Sequence, residues 1–383
     1  MKVAWPFLLI VIGCSVLHGA AKTALQPMSF DCKILTAVGQ SPFAVATGDW
    51  NGDGKMDLVV SAAATDAAVT FLNRGRREFT RTGEVPVGHI PRGIAVGDIN
   101  GDGSLDVAIG NAESHDVIVF AGDGKGDFAR LGRYRTGVAP FTAAFADLDD
   151  DGRLDLVIVN ESDTPHTKPG TVSVLYGNGN GGFSDPLNLK AGDNPSAVAI
   201  ADFDGRGGRD LAVSNWGSNT VSIFLNGGGR NFTKLAELPY GGDLPYGIFA
   251  ADFDRDGNVD LAVSDIGSRA VRVLYGDGSG GFPRAAAFAV QDGVRDVTGA
   301  DLNGDGIVDL ATANTGAGTV SILIGQAEGG FAPAINISTG KGPRIVVAAD
   351  LDGDGYLDLA VTNQFANSVA LLFQTRGSGS ACP

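Results

Sequence analysis

Seven short segments of the sequence carry oxygen-bearing side chains at a nearly constant spacing, and six of them read D-x-[DN]-x-D-G-x-x-D. In a curled loop, the side chains at positions 1, 3 and 5 face one side, the glycine at position 6 permits the turn, and the aspartate at position 9 closes the shell. Six or more hard oxygen ligands around one point suit Ca²⁺, whereas softer metals prefer His or Cys. The four histidines lie outside these segments. The segments therefore predict calcium sites.

The predicted ligands of each intact loop are the side chains at positions 1, 3, 5 and 9 and the main-chain carbonyl at position 7, which gives about six calcium sites. Along the chain these residues are Asp49, Asn51, Asp53, Lys55, Asp57, Asp98, Asn100, Asp102, Ser104, Asp106, Asp147, Asp149, Asp151, Arg153, Asp155, Asp252, Asp254, Asp256, Asn258, Asp260, Asp301, Asn303, Asp305, Ile307, Asp309, Asp350, Asp352, Asp354, Tyr356 and Asp358.

The fourth loop, Asp202–Asp210, departs from the pattern. Arg206 occupies position 5 and Arg209 follows, so a cation replaces one ligand and a second cation lies beside the site. We expect the Arg206 guanidinium to pair with an aspartate of this loop. The loop is therefore predicted to be free of metal or to bind it weakly.

The loops allow two other interpretations. EF-hands need Glu at position 12 and flanking helices, and here position 12 lies in an apolar run without Glu. The loops could instead be Asx-rich turns that hold no metal. However, almost half of the 44 acidic residues lie in the six intact loops, and carboxylates that close repel one another without a counter-ion. The electrostatics favours metal sites.

The acidic loops belong to a repeat with intervals of 49 to 55 residues. In each copy, one short apolar run enters the loop, a second leaves it, and a third follows a few polar residues. A Gly-rich turn ending in Phe then precedes a fourth extended segment. Runs of this length and composition indicate strands. Four antiparallel strands repeated radially seven times predict an all-β fold, a seven-bladed β-propeller.

The ends of the chain indicate how the ring closes. Phe30 lies 19 residues before Asp49, as its counterparts do before later loops, yet no blade precedes it. The last repeat lacks a fourth strand. We therefore expect Phe30–Val38 to complete the seventh blade, which removes two exposed edges. The same alignment gives Cys382 a register equivalent to that of Cys32, so a disulfide between them is expected.

The N-terminus has the pattern of an export signal, with a basic start, an apolar run over Val3–Leu17 and small residues up to Ala21. An alternative is a lipoprotein signal, since the tetrapeptide ending at Cys14 resembles a lipobox. The predicted domains are a signal peptide over 1–21, a linker over 22–29, the propeller over 30–377 and a tail over 378–383. We expect an extracellular, periplasmic or cell-surface protein, with a possible lipid anchor at Cys14.

Other partners are limited by charge and hydropathy. The net charge of −16 argues against nucleic acid, which needs clustered Lys and Arg. No later apolar segment reaches the roughly 20 residues of a transmembrane helix. We expect a monomer whose ligand is a glycan or a protein.

A ligand site is predicted where strand 4 of one blade leads into strand 1 of the next. These connections place Arg92, Tyr246, Arg295 and Arg344 near the mouth of the central channel, together with Phe43 and Phe141. Arginines among aromatic rings suit an acidic sugar or another carboxylate. Alternatively, Pro and Gly only turn the chain there, and the aromatic rings pack between blades.

The seven loops and the "GGF" or "GDF" turns resemble those of FG-GAP and VCBS-type repeat proteins, whose blades are similar to those of the integrin α-subunit propeller. The resemblance covers about residues 30–377. It implies that the loops between the first two strands of each blade bind Ca²⁺ as a structural ion. It is specific for fold and metal, and says little about the ligand.

These observations predict a calcium-binding β-propeller that acts as a binding or adhesion module rather than as an enzyme. The alternative is a polysaccharide lyase or glycosidase at the channel mouth. No acid/base pair outside the acidic loops supports catalysis, although His89 could join Tyr246 and the arginines. A lyase would need a Tyr or His base facing an Arg, so the side-chain positions discriminate between the two functions.

Overall fold

The apolar runs between the acidic loops form strands in the computed structural model, which describes residues 28–162, 169–235, 237–375 and 382. The predicted signal peptide with Cys14, linker residues 22–27, and tail residues 378–381 and 383 lie outside the described residues. No helix within the described ranges is long and apolar enough to cross a membrane.

Seven antiparallel sheets form the seven blades, and in blades 1 to 6 the strands pair in chain order from the central channel outward. The strands of blades 1 to 3 are β2 (Pro42–Gly48), β3 (Asp57–Ala62), β4 (Ala67–Asn73) and β5 (Phe79–Pro86); β6 (Pro91–Gly97), β7 (Asp106–Asn111), β8 (Asp116–Gly122) and β9 (Phe128–Arg135); and β10 (Pro140–Ala146), β11 (Asp155–Asn160), β12 (Pro169–Leu175) and β13 (Leu187–Asp193).

Blade 4 has a divided outer strand, because β17 and β18 both pair with β16. The strands of blades 4 to 6 are β14 (Pro195–Ala201), β15 (Asp210–Asn215), β16 (Thr220–Asn226), β17 (Phe232–Lys234) and β18 (Leu238–Pro239); β19 (Pro245–Ala251), β20 (Asp260–Asp265), β21 (Ala270–Tyr275) and β22 (Arg284–Ala289); and β23 (Val294–Ala300), β24 (Asp309–Asn314), β25 (Thr319–Leu323) and β26 (Ile335–Ser338).

The seventh blade is completed from the other end of the chain. It consists of β27 (Pro343–Ala349), β28 (Asp358–Asn363), β29 (Ser368–Thr375) and, as its outer strand, β1 (Ser29–Leu35). β1 pairs antiparallel with β29, which confirms the predicted closure and the seven-bladed all-β fold. Cys32 of β1 is disulfide-bonded to Cys382, with their Cα atoms 4.9 Å apart.

Burial follows strand position within a blade. Every residue of the second strand is buried in all seven blades, whereas the outer strands expose alternate residues, as in β5. A second strand with both faces covered suits the continuous Val, Leu and Ala runs of the sequence. The core therefore lies between the faces of neighbouring blades.

Hydroxyl groups join adjacent blades near the channel. Ser61 of blade 1 donates to the Arg92 carbonyl of blade 2 at 2.7 Å, and Ser264 of blade 5 donates to the Arg295 carbonyl of blade 6 at 3.2 Å. Thr362 of blade 7 donates to the Phe43 carbonyl of blade 1 at 3.0 Å, across the closure. These bonds fix the inner strands against one another. They lie at the end of the channel where the ligand residues are predicted.

Candidate metal centres and channel mouth

Each acidic loop folds around its first aspartate, as the loop of blade 5 shows. Asp252 accepts the amides of Asp256 at 3.1 Å and Gly257 at 2.9 Å, and Asp256 accepts the amide of Asn258 at 2.8 Å. Gly257 has φ of +92°, a conformation that side chains rarely adopt. The first aspartate accepts the amide of the position-6 glycine in all seven loops, so the loops share one shape.

The aspartate at position 9 has a structural function that sequence reasoning did not assign. Asp260 accepts the amide of Phe253 at one carboxylate oxygen and the amide of Gly276 at the other, both at 2.8 Å. The equivalent pair of bonds occurs in every blade. This carboxylate therefore ties the loop to the end of the third strand.

Burial raises the pKa of the position-9 carboxyl groups. The side chains have no exposed surface, and the neighbouring loop carboxylates raise the pKa further, while the two amide bonds oppose the rise. The pKa reaches about 6 for Asp57, Asp106, Asp155 and Asp260 and about 7 for Asp309 and Asp358. Groups with a pKa of about 7 are roughly half protonated at neutral pH and those with a pKa of about 6 are mostly ionised, and a nearby cation favours the ionised form.

Four loops bring three carboxylates together, with ligand oxygens all within 4.8 Å of one another, so that each could hold a metal ion. The carboxylates come from positions 1, 3 and 9, and the triads are Asp147, Asp149 and Asp155; Asp202, Asp204 and Asp210; Asp252, Asp254 and Asp260; and Asp350, Asp352 and Asp358. The aspartates predicted as ligands at position 5 lie outside these triads and are exposed. The other three loops have Asn at position 3.

An arginine pairs with the position-3 aspartate in the loops of blades 3, 5 and 7. Arg230 Nε lies 2.9 Å from Asp149, Arg77 Nε lies 2.8 Å from Asp352, and Arg284 pairs with Asp254. Each guanidinium also covers an aromatic ring at the end of the third strand of the same blade as the loop. These rings are Tyr176, Phe373 and Tyr275.

Two of the paired aspartates keep one oxygen without a partner. Oδ1 of Asp149 and Oδ1 of Asp254 are buried and accept no hydrogen bond among the described residues. The arginine holds Oδ2 in each case. Leaving a buried carboxylate oxygen unpaired is costly, and a cation within the triad would satisfy it. The donor set, all carboxylate oxygen, fits a hard ion such as Ca²⁺.

The fourth loop keeps its triad although Arg206 replaces the position-5 ligand. The Arg206 guanidinium is 3.5 Å from Asp204, and 81% of its side chain is exposed. It therefore touches the triad from outside, as the predicted pairing with a loop aspartate requires, and does not fill it. The weaker metal binding of this loop stays a prediction.

The predicted ligand residues meet at the channel mouth. They occupy the second position of the first strand in each blade, where all seven blades have a register irregularity against the second strand. Such irregularities can re-aim a side chain. The seven residues, here called the mouth ring, are Phe43, Arg92, Phe141, Ser196, Tyr246, Arg295 and Arg344.

Aromatic residues of alternate blades converge on the channel axis. The Phe43 and Phe141 rings pack edge to face with centroids 5.2 Å apart, and Phe141 and Tyr246 do so at 5.5 Å. All three are nearly buried. Arg344 lies 3.8 Å from the Phe43 centroid and donates to the Tyr246 hydroxyl at 2.8 Å. Packing of the rings, offered by the sequence as the alternative to a ligand site, therefore coexists with a cluster of arginines.

Some residues outside the predicted ligand set contact the mouth ring, and His89 does not. Glu161 pairs with Arg92 at 2.6 Å and accepts the Trp216 indole N–H at 3.3 Å. Ser196, which sequence reasoning omitted, donates to the Tyr246 carbonyl at 2.8 Å. His89 instead pairs with Asp66 and is 74% exposed, and no contact joins it to the arginines among the described residues.

Comparison with known proteins agrees with this architecture. The FG-GAP-like repeat family matches residues 49–109, 98–158, 147–213, 202–263 and 301–361. No curated protein sequence matches the chain.

Solved structures share the fold at low sequence identity. Virginiamycin B lyase from Staphylococcus aureus is 14% identical with a TM-score of 0.61, over 90% of this chain and 99% of the lyase. The mercury-soaked complex of BBS1N with ARL6DN matches at 13% sequence identity with a TM-score of 0.65. The match covers 93% of this chain and 98% of that chain. A protein of unknown function from Desulfotomaculum acetoxidans matches at 12% sequence identity with a TM-score of 0.55. The match covers 85% of this chain and 97% of that protein. The family matches, which span more than half of the chain, place it among the FG-GAP-like repeat β-propellers.

Proposed function

We propose that the chain is an exported, calcium-stabilised β-propeller that acts as a binding or adhesion module outside the cell or at its surface. The observation that carries the calcium part is the set of carboxylate triads, two of which hold a buried oxygen without a partner. The ions would be structural, since each loop joins the first two strands of a blade and is tied to the third by its position-9 carboxylate.

Export is supported by two independent features. The first 21 residues have the composition of a signal peptide. The disulfide between Cys32 and Cys382 joins the two ends of the fold, and such bonds persist mainly in oxidising compartments. A monomer suffices, because the seventh blade is closed within one chain.

The proposed ligand site is the mouth ring, and the ligand is a glycan or a protein. The ring gathers one side chain from each of the seven blades on one rigid frame, with arginines among aromatic rings. Binding residues are commonly positioned in this way, on loops and strand ends of a stable scaffold.

Binding on an array of glycans and purified proteins, with Ca²⁺ and after chelation, tests the function. Each ion that binds only the folded loops stabilises by about 2.7 kcal/mol at one hundred times its Kd. We expect the melting temperature to rise strongly with Ca²⁺ and at least one array ligand to bind the calcium-loaded protein. No melting shift would refute the calcium part, and no ligand of any class would refute the binding part.

A polysaccharide lyase is a second candidate because of one observation. The Tyr246 hydroxyl faces the Arg344 guanidinium at 2.8 Å, the arrangement that a lyase needs. Tyr246 is only 7% exposed, which limits access of a substrate to its hydroxyl. Unsaturated products formed from a polyuronate by the native protein, and lost in Tyr246→Phe, would favour the lyase. Absence of products would leave the binding module.

A further inference from the structure

The mouth ring concentrates positive charge in an acidic protein. The chain has a net charge of −16, yet three of the seven ring positions are arginine. Among the described residues, only Arg92 of these three has a carboxylate within ion-pair distance, that of Glu161 at 2.6 Å. Arg295 and Arg344 form no ion pair at that distance among the described residues.

Both of these arginines contact Tyr246. The Arg295 guanidinium lies 5.0 Å from the centroid of the Tyr246 ring, and the Arg344 guanidinium lies 5.9 Å from it. Arg344 donates to two neutral oxygens, the Tyr246 hydroxyl at 2.8 Å and the Gln364 side chain at 3.2 Å. Its Nε is buried and has no hydrogen-bond partner among the described residues. The two cations are thus held together by neutral groups.

This arrangement is unfavourable in the unliganded protein. Burial lowers the pKa of Arg344, and the neighbouring Arg295 and Arg92 guanidinium groups lower it further, while Tyr246 and Glu161 oppose the shift. Asp296, which follows Arg295 on β23, accepts the Val346 amide at 3.0 Å and interacts electrostatically with Arg344, but forms no ion pair among the described residues. A partly buried cation is costly unless an anion compensates it. An incoming anion between Arg295 and Arg344 would supply that compensation.

Two aromatic side chains lie on hairpins between strands 2 and 3 that contact the mouth ring. Phe365 is 67% exposed and directly follows Gln364, which binds Arg344. Trp216 packs against the cluster that contains Phe43, Phe141 and Tyr246, and its indole N–H reaches Glu161. Aromatic rings bury apolar faces and leave edges for polar contacts. Sugar rings offer such faces together with hydroxyl groups, so a sugar suits this surround better than an acidic peptide does.

We propose that Arg295 and Arg344 bind the carboxylate of an acidic sugar, a uronate unit, at the channel mouth. The inference rests on the proposed binding function and names its ligand class. The carboxylate accepts hydrogen bonds from both guanidinium groups and restores the charge balance at the ring. Arg92 remains paired with Glu161 and orients Trp216 through that carboxylate.

The test is isothermal titration of the calcium-loaded protein with a galacturonic acid trisaccharide. The same trisaccharide as its methyl ester lacks the charge, and an acetylated glutamate peptide supplies a carboxylate without a sugar. Arg295→Gln and Arg344→Gln each remove one cation. Arg269→Gln is the matched control, since Arg269 is 66% exposed and pairs with Asp292 rather than with the mouth ring.

We expect the acid trisaccharide to bind, and each mouth variant to weaken it by about tenfold or more, the usual loss for one charged hydrogen bond. The methyl ester should bind at least tenfold more weakly than the acid, and Arg269→Gln should bind as the native protein does. If Arg344→Gln fails to fold, as its melting curve would show, Arg295→Gln still decides the result because the Arg295 side chain makes no hydrogen bond among the described residues.

Three results would overturn the proposal. Equal binding of acid and ester would show that the site does not recognise the carboxylate. Tighter binding of the glutamate peptide would identify an acidic protein as the ligand. Binding that is retained in both mouth variants but lost on chelation would place the uronate at the calcium loops. In each of these cases the protein still binds a ligand, so the proposed function survives. Loss of all array ligands would instead refute the function itself.

Discussion

Arg77 Nε lies 2.8 Å from Oδ2 of Asp352 and joins the turn between strands 3 and 4 of blade 1 to the acidic loop of blade 7. Nη1 of the same guanidinium lies 3.0 Å from Asp31 on β1, the strand that closes the ring. One side chain therefore connects a candidate metal loop, the closing strand and the next blade. The seam of the propeller is held by this pair of ion pairs, by the β1–β29 ladder and by the disulfide.

Replacement of Arg77 should destabilise the metal-free protein more than the calcium-loaded protein. Arg77→Gln removes the cation beside Asp352, whose side chain is 8% exposed, and leaves the loop carboxylates to repel one another. We expect the unfolding free energy to fall by about 1.5–3 kcal/mol without metal, and by less with Ca²⁺, which neutralises the same carboxylates. Urea denaturation in both conditions measures this. Arg76→Gln, in the same turn, is the control, and equal effects of the two variants would contradict the account.

Restoration of the consensus in the fourth loop should create a metal site. Arg206→Asp supplies the missing position-5 carboxylate and removes the cation next to Asp204. We expect the number of bound Ca²⁺ ions, counted by native mass spectrometry, to rise by one. Arg206→Ala removes the cation without adding a ligand and should gain no tightly bound ion. A native protein that already fills all seven loops would show that the arginine does not weaken the site.

The metal-free protein should lose stability as pH rises, and calcium should offset that loss. The folded-state pKa of the position-9 aspartates is raised to about 6 or 7, above the usual value of about 4. The metal-free folded state therefore binds protons more tightly than the unfolded state. Its extra stability is present at low pH and is lost as pH rises through 6 to 7.

Calcium requires the ionised carboxylates, so its contribution appears over the same pH range. Melting temperatures of dialysed protein at pH 5 to 8, with and without added Ca²⁺, measure both effects. The metal-free melting temperature should fall with rising pH, while the increment caused by Ca²⁺ should grow. An increment that does not change with pH would show that protons and calcium do not compete at these carboxylates.

Loss of the disulfide should destabilise the fold by the same amount whichever of the two cysteines is replaced. The bond closes a loop with a sequence separation of 350 residues, for which the chain-entropy model gives about 6 kcal/mol. Cys32→Ser and Cys382→Ser should each lower the unfolding free energy by a comparable amount, and the double variant should be no worse than either. Additive effects in urea denaturation would contradict the pairing, since partners in one bond cannot act independently.

The repeat period predicted most of the fold. The spacing of the acidic loops and the position of Phe30 were sufficient to predict seven blades and the closing strand. The arginines that pair with Asp149, Asp254 and Asp352 were missed because they lie far away along the chain or in a neighbouring blade. A signal did exist. The position 15 residues after the closing aspartate is aromatic in blades 5 and 7, and its counterpart in blade 3, after the insertion, is Tyr176.

The channel mouth shows where repeat alignment stops being informative. Alignment placed Arg92, Tyr246, Arg295 and Arg344 on one ring, but it could not show which arginine has a carboxylate partner. Glu161 reaches Arg92 from a different blade, and the neutral Tyr246 and Gln364 hold Arg344. Pairing across a channel depends on blade geometry, and no periodicity along the chain encodes it.

The central claim is that the acidic loops hold structural calcium, and a crystal structure of the calcium-loaded protein tests it most directly. Anomalous scattering would locate each ion. The account predicts ions in the six intact loops, contacting the side chains at positions 1, 3, 5 and 9, with Asp149 and Asp254 using their Oδ1 atoms. Intact loops that remain empty in saturating Ca²⁺, with the same backbone shape as described here, would contradict it.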